Sequence, residues 1–204
     1  MEPSAPPYVV RTKKQLSALA SSARQEIVDV LANAGAISVA ELASALGRHA
    51  DALYYHLKVL RQAGLVLSAG HRGRGKHREE LIRSVSADLR LPYELGEGGN
   101  RGEISAIVAS MLRLGIRDFD HAFAFGDVKV SGADRELLAL RKIGWLTPDE
   151  VGDVNRSIAE LAQIAAGPPG RGRLYAITIL LTPLDHRAHP GGKAARAARK
   201  AKPP

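Results

Sequence analysis

Between Ser22 and Val85 the spacing of apolar residues changes from helical to alternating, and each stretch starts and stops on a recognisable signal. Ser22-Ala23-Arg24-Gln25 has the S-x-x-Q form of a capping box. It opens a predicted helix with Ile27, Val28 and Leu31 on one face, ended by Asn33-Ala34-Gly35. Ser38-Val39-Ala40-Glu41 repeats the signal in its S-x-x-E form, ahead of a short helix carrying Leu42 and Leu46. Gly47 fits the position just past that helix's end. A third helix begins two or three residues later and runs to about Gln62, with Gly64 as its stop. At about 100° per residue, Leu53, Leu57, Leu60 and Gly64 fall on one side of it. Asp51, Tyr54, Tyr55, Lys58 and Gln62 fall on the other, and His56 sits at the border, where it is read as a packed, hydrogen-bonded histidine. Two helices joined by a tight glycine-containing turn, the second one longer, form a helix-turn-helix pattern.

Period two follows. Leu65-Val66-Leu67-Ser68 is a short apolar strand, and His71–His77 alternates cations with glycines. Glu79–Val85 reads as a return strand, with Glu80, Ile82 and Ser84 alternating against Leu81, Arg83 and Val85. Strand, basic loop, strand is the outline of a wing, whose glycine-rich tip can approach a phosphate backbone or a minor groove. The alternative is a solvated hairpin with a basic turn.

Further along, LPYELGEGGN (91–100) has the punctuation of a linker, and Glu103–Phe125 has helical spacing through Ile104, Ile107, Val108, Met111 and Leu112. Phe119 and Phe123 carry that stripe past Gly115. RELLALRKIGWL (135–146) is mixed and strand-like near its end. Thr147-Pro148-Asp149-Glu150 is a helix start, with Thr at the cap, Pro at the first position and Glu at the third. Its helix carries Val151, Val154, Ile158, Leu161 and Ile164 and is expected to end at Gly167. LYAITILL (174–181) is apolar throughout and reads as a buried strand.

Charge sharpens the division. The net charge of +8 is uneven: residues 1–85 hold 12 Lys/Arg and 7 Asp/Glu, residues 86–186 hold 11 and 14, and residues 187–204 hold 6 and none. Both ends favour a polyanion such as nucleic acid, although basic segments also serve plain solubility. Hydrophobic residues make up 45%, enough for a packed core, and aromatics only 4%, so two adjacent outward tyrosines call for a reason. With no cysteine, disulfides, thiolate metal sites and cysteine catalysis are excluded. No apolar run approaches the length of a membrane span, and MEPSAPPYVVRTKK lacks the apolar core of a secretion signal. The expected location is cytoplasmic and nucleoid-associated, without membrane contact.

SSARQEIVDVLANAG, SVAELASALG, ALYYHLKVLRQAGLV and the basic hairpin, in that order over about a third of the chain, resemble the arsenic-repressor-like (ArsR-like) winged helix-turn-helix regulators. The "YYHLKVLRQAGLV" stretch carries most of the resemblance. It implies a homodimeric DNA-binding transcription factor, with repression by occlusion as the default. Members that sense soft metals place cysteines in or near these helices; this chain has none, so that property does not carry over. Helices flanking the winged domain commonly make the dimer in such proteins, which marks Ile104, Ile107, Val108, Met111 and Leu112 as dimerisation candidates.

The expected fold is α+β, an N-terminal winged helix-turn-helix domain followed by a smaller C-terminal helix plus strand–helix–strand unit. It divides into a flexible N-terminus (1–11), the DNA-binding domain (12–86), a linker (87–100), a dimerisation and possible sensing unit (101–186) and a disordered basic tail (187–204). The expected DNA contacts are Ser38, Arg48, His49, Asp51, Tyr54, Tyr55, Lys58, Arg72, Arg74 and Lys76. A tyrosine hydroxyl reaches phosphate and its ring meets sugar or a thymine methyl, and free N–H groups at the helix start favour phosphate. Asp51 either accepts from cytosine N4 or caps the helix. The tyrosines have an alternative in packing against the wing or a dimer partner. Chemistry is sparse: no nucleophile elbow, phosphate loop or H-E-x-x-H motif occurs, so no enzyme and no cofactor are expected. Asp118, His121, His186 and His189 are weak metal candidates, with an ordinary helix surface as the favoured reading. Partners are double-stranded DNA, a second copy, and an unidentified small-molecule effector acting through residues 100–186. A winged module for protein contacts is the alternative.

Overall fold

A computed structural model describes residues 7–75, 78–166 and 172–184. The N-terminal body begins earlier than the sequence pattern predicts. Tyr8–Val9 forms β1, and Lys13–Leu19 forms α1, opened by a reciprocal capping box between Thr12 and Gln15. Gln15 Nε2 also donates to the Tyr8 hydroxyl at 2.8 Å, tying strand to helix. Val10 is fully buried, so residues 7–11 are not the flexible leader expected of them.

α2 spans Ser22–Ala34, but the expected Ser22/Gln25 capping box does not form, and Ser21 is the cap residue without a side-chain bond. The two side chains are drawn sideways. The Ser22 hydroxyl accepts from Ser110, and Gln25 reaches the Ile107 carbonyl, both on a later helix. Arg24 instead closes α1, donating to the Ala18 and Ser17 carbonyls.

β2 (Ile37–Ser38) leads into α3, Val39–Ala45, where the Ser38/Glu41 box forms as predicted. α4 runs over Asp51–Gln62. Both helices end alike. Arg48 N–H bonds Ala43 O and Gly47 N–H bonds Ser44 O; Leu65 N–H bonds Leu60 O and Gly64 N–H bonds Arg61 O. This two-bond closure needs a left-handed residue at its centre, supplied by Gly47 (φ 60°) and Gly64 (φ 72°).

β3 (Val66–Arg72) and β4 (Glu79–Ser84) form an antiparallel hairpin with an irregularity between Ser68 and His71. β2 joins the far side of β4, giving the sheet order β2-β4-β3. Leu89–Arg90 is β5, paired parallel to β1. The expected linker is therefore partly structured. Asn100 reinforces it by donating to Pro92 O and accepting from Glu94 N–H.

α5 is the 25-residue helix Arg101–Phe125. Ile107 belongs to the same core as Leu16, Ile27, Leu31, Leu42, Leu53, Leu60 and Ile82, with Ile104 and Met111 packed on its edge. Each fully buried Leu or Ile of this kind stabilises by about 1.5–3 kcal/mol relative to exposure. Three of the five dimerisation candidates, Ile104, Ile107 and Met111, thus pack within their own chain. Val108 is half-buried and Leu112 is exposed.

α6, Pro148–Ala165, starts at the predicted Thr147/Glu150 box and has no buried residue. Its expected stop, Gly167, lies outside the described residues, as does the basic tail. The strand–helix–strand expectation is not met: among the described residues, 127–147 and 172–184 contain no strand. A strand needs a partner for its backbone, and nothing in the described chain supplies one. Leu174–Leu181 is exposed rather than buried.

Candidate nucleic-acid interface

Leu53, Leu57 and Leu60 anchor α4 in the core and orient its opposite face outward. Asp51, Tyr54, Tyr55, Lys58 and Gln62 all lie on that face and are exposed, Tyr54 at 57% and Tyr55 at 68%. Tyr55 makes an edge contact with His56 at a ring-centroid distance of 5.5 Å. Asp51 sits in the first turn but makes no capping bond, since Ala50 is the cap residue. His56 is half-buried, and its Nδ1 is buried without the hydrogen-bond partner expected of a packed histidine. Desolvation, then the nearby Arg24 and Arg48 cations, hold its pKa below the ordinary value.

The α3–α4 turn presents His49 to solvent, while Arg48 is half-buried and ion-paired to Glu26 at 2.5 Å. Glu26 also accepts from Arg117 of α5 at 2.7 Å. Ser38 is only 3% exposed, and its hydroxyl accepts from Glu41 N–H. That is a helix cap turned inward, not a surface contact.

On the hairpin, Arg72 lies between Glu41 (2.9 Å) and Glu79 (3.2 Å), joining the loop end of the hairpin to α3. The backbone and hydroxyl of Ser38 and the Arg72 guanidinium together hold the Glu41 carboxyl below its usual range. Arg74 is exposed at the loop. Lys76 lies outside the described residues. Three cations escaped the sequence reading: Arg61, paired to Glu80 at 2.9 Å; Arg78, 3.2 Å from His71 Nδ1; and the exposed Arg83. Arg78 and Arg83 flank the Glu79-Glu80 pair in the sequence, which was the available signal for those two, whereas Arg61 lies on α4.

Two of the four metal candidates, Asp118 and His121, lie among the described residues. Asp118 is bonded to Arg117 at 2.8 Å, and His121 lies exposed on α5 beside a shallow depression lined with Ala124 and Phe125. His186 and His189 lie outside the described residues, among which no group of three or more acidic or histidine ligands occurs. No helix among the described residues is long and apolar enough to cross a membrane.

Residues 19–69, from the end of α1 into β3, match a family model described as a helix-turn-helix domain. No curated protein matches the chain. The matched span contains α3, its glycine turn and α4 with the exposed tyrosines, so the chain carries a helix-turn-helix domain, the mark of a DNA-binding regulator.

Proposed function

We propose that the chain is a sequence-specific transcriptional regulator of the ArsR-like winged type, acting as a homodimer and repressing by occlusion, with no catalytic role. The observation that carries this reading is the face of α4. A helix whose leucines are fully engaged inward holds two tyrosines and a lysine outward, in the matched helix-turn-helix span. On DNA, α4 lies in the major groove. Tyr54 and Tyr55 contact sugar, thymine methyl or phosphate, and Lys58 neutralises a phosphate. His49 and the hairpin loop around Arg74, acting as the wing, hold the flanking backbone. In a dimer, two such helices meet successive major grooves about 34 Å apart.

Selection of bound sequences from a random duplex pool tests the reading. Enrichment of an inverted repeat with half-sites about 10–10.5 base pairs apart is the expected result. Recovery of unenriched DNA would leave only charge-driven binding. No recovery at all would favour a winged module for protein contacts.

A further inference from the structure

Two exposed apolar surfaces adjoin on the side of α5 away from the core. One is the row Leu112, Ile116 and Phe123 on α5 itself. The other is the run Leu174–Leu181, eight residues without a charge. They meet at Gly115, where an added Cβ would lie 3.7 Å from the Thr178 hydroxyl oxygen. The run is unpaired among the described residues, yet its composition suits a strand. In extended backbone, with Thr178 turned to α5, Tyr175, Ile177, Ile179 and Leu181 share the opposite face. Ile177 is 55% and Ile179 41% exposed. An exposed, uncharged strand with free N–H and C=O groups is a template for pairing.

We propose that a second copy of this chain covers this surface, the Leu174–Leu181 runs of two copies pairing antiparallel across a two-fold axis beside the outward rows of their α5 helices. The proposal rests on the homodimer reading and specifies its interface. Three features of the run and its setting favour a second copy. A run with no charge meets no like-charge repulsion when paired with itself. Antiparallel self-pairing closes after two chains instead of growing into a fibre. The size also fits: at about 100 Å² for a large side chain, half exposed, the two patches expose roughly 500 Å² of apolar area per chain. Homodimer interfaces are about 65% apolar, which gives a total near the ~800 Å² per partner of a stable contact.

The test compares the full chain with an Ile177→Lys, Ile179→Lys variant by light scattering after size exclusion. Hydrogen exchange of residues 174–181 is followed across a dilution series. These two side chains lie outside the N-terminal core, and unchanged helical circular dichroism verifies that the variant is folded. The proposal expects twice the 21.8 kDa chain mass for the wild type and the single mass for the variant. It also expects protection of the run that is lost on dilution. A variant that stays dimeric, with exchange in 174–181 as fast as in the wild type, overturns this interface but leaves the homodimer intact. A monomeric wild type overturns both. If the run of that monomer is nonetheless protected at every dilution, the chain covers the run itself.

Discussion

Arg48, at the turn before α4, is held by Glu26 of α2 at 2.5 Å, and the same carboxylate accepts from Arg117 of α5 at 2.7 Å. A cation proposed to meet DNA is therefore partly neutralised within its own chain, and the neutralising group is shared with the long C-terminal helix. Glu26→Gln should free Arg48 for phosphate while loosening α2 from α5. The expected result is a salt dependence of DNA binding steeper by up to about 0.9 in log–log slope. It is accompanied by a stability loss of roughly 1–3 kcal/mol, since Glu26 is mostly buried. Binding titrations over a salt series and urea melts measure the two effects; an unchanged slope would show that Arg48 does not reach phosphate.

The two faces of α4 should respond oppositely to truncation. Tyr54→Ala and Tyr55→Ala remove exposed side chains and are expected to change stability by no more than about 0.5 kcal/mol while lowering specific DNA affinity. Leu53→Ala empties a fully buried site and should cost about 2–5 kcal/mol. Chemical denaturation beside a binding assay separates them. A tyrosine variant that unfolds readily would mean that the ring packs on something essential.

The hairpin arginines should also differ. Arg74 is exposed, whereas Arg72 is shared by Glu41 and Glu79. Arg74→Ala is expected to reduce the salt slope by about 0.9, as loss of one phosphate contact does. Arg72→Ala removes a cation already matched by two carboxylates, so its slope change should be smaller. Equal slope losses would show that DNA displaces both carboxylates from Arg72.

Asp29 gives a pH prediction. Desolvation beside α5, then repulsion from Glu26 and Asp118, push its carboxyl up to about 6, although its side chain still reaches solvent. An unfolded chain releases that proton near 3.8, so between those values the folded state binds more protons and stability falls as pH rises. The cost is fully present above about pH 6, and solvent screening holds it to roughly 1 kcal/mol. Asp29→Asn should therefore raise Tm near neutral pH, and the gain should shrink towards pH 4. A lower Tm near neutral pH would show that the charged carboxylate is favourably bound.

What was legible in the sequence was local. The Ser38/Glu41 and Thr147/Glu150 boxes, the glycine stops at 47 and 64, the β3–β4 hairpin and the sidedness of α4 each depend on residues a few positions apart. Thr12-Lys13-Lys14-Gln15 carries the same capping signal, but α1 was missed because it is short and its apolar face is brief. Ser22 and Gln25 carried the signal without the box, because α5, more than eighty residues later, took their side chains. Distance along the chain hid the ion pairs as well, since nothing near Arg48 marks Glu26 or Arg117 as its neighbours. The 174–181 run shows a different limit. Composition marks it as strand-forming, but pairing is a property of two segments, and the single described chain offers no second one.

The central claim is that the tyrosine face of α4 reads DNA sequence. Fluorescence anisotropy tests it most directly, using duplex from upstream of the protein's own gene against scrambled duplex, for the wild type and a Tyr54→Ala, Tyr55→Ala, Lys58→Ala variant. The expected result is a wild-type preference for the upstream duplex that persists near 0.15 M salt, where nonspecific phosphate contacts have weakened, and that disappears in the variant. Equal wild-type binding to both duplexes, or a preference that survives all three substitutions, would contradict it.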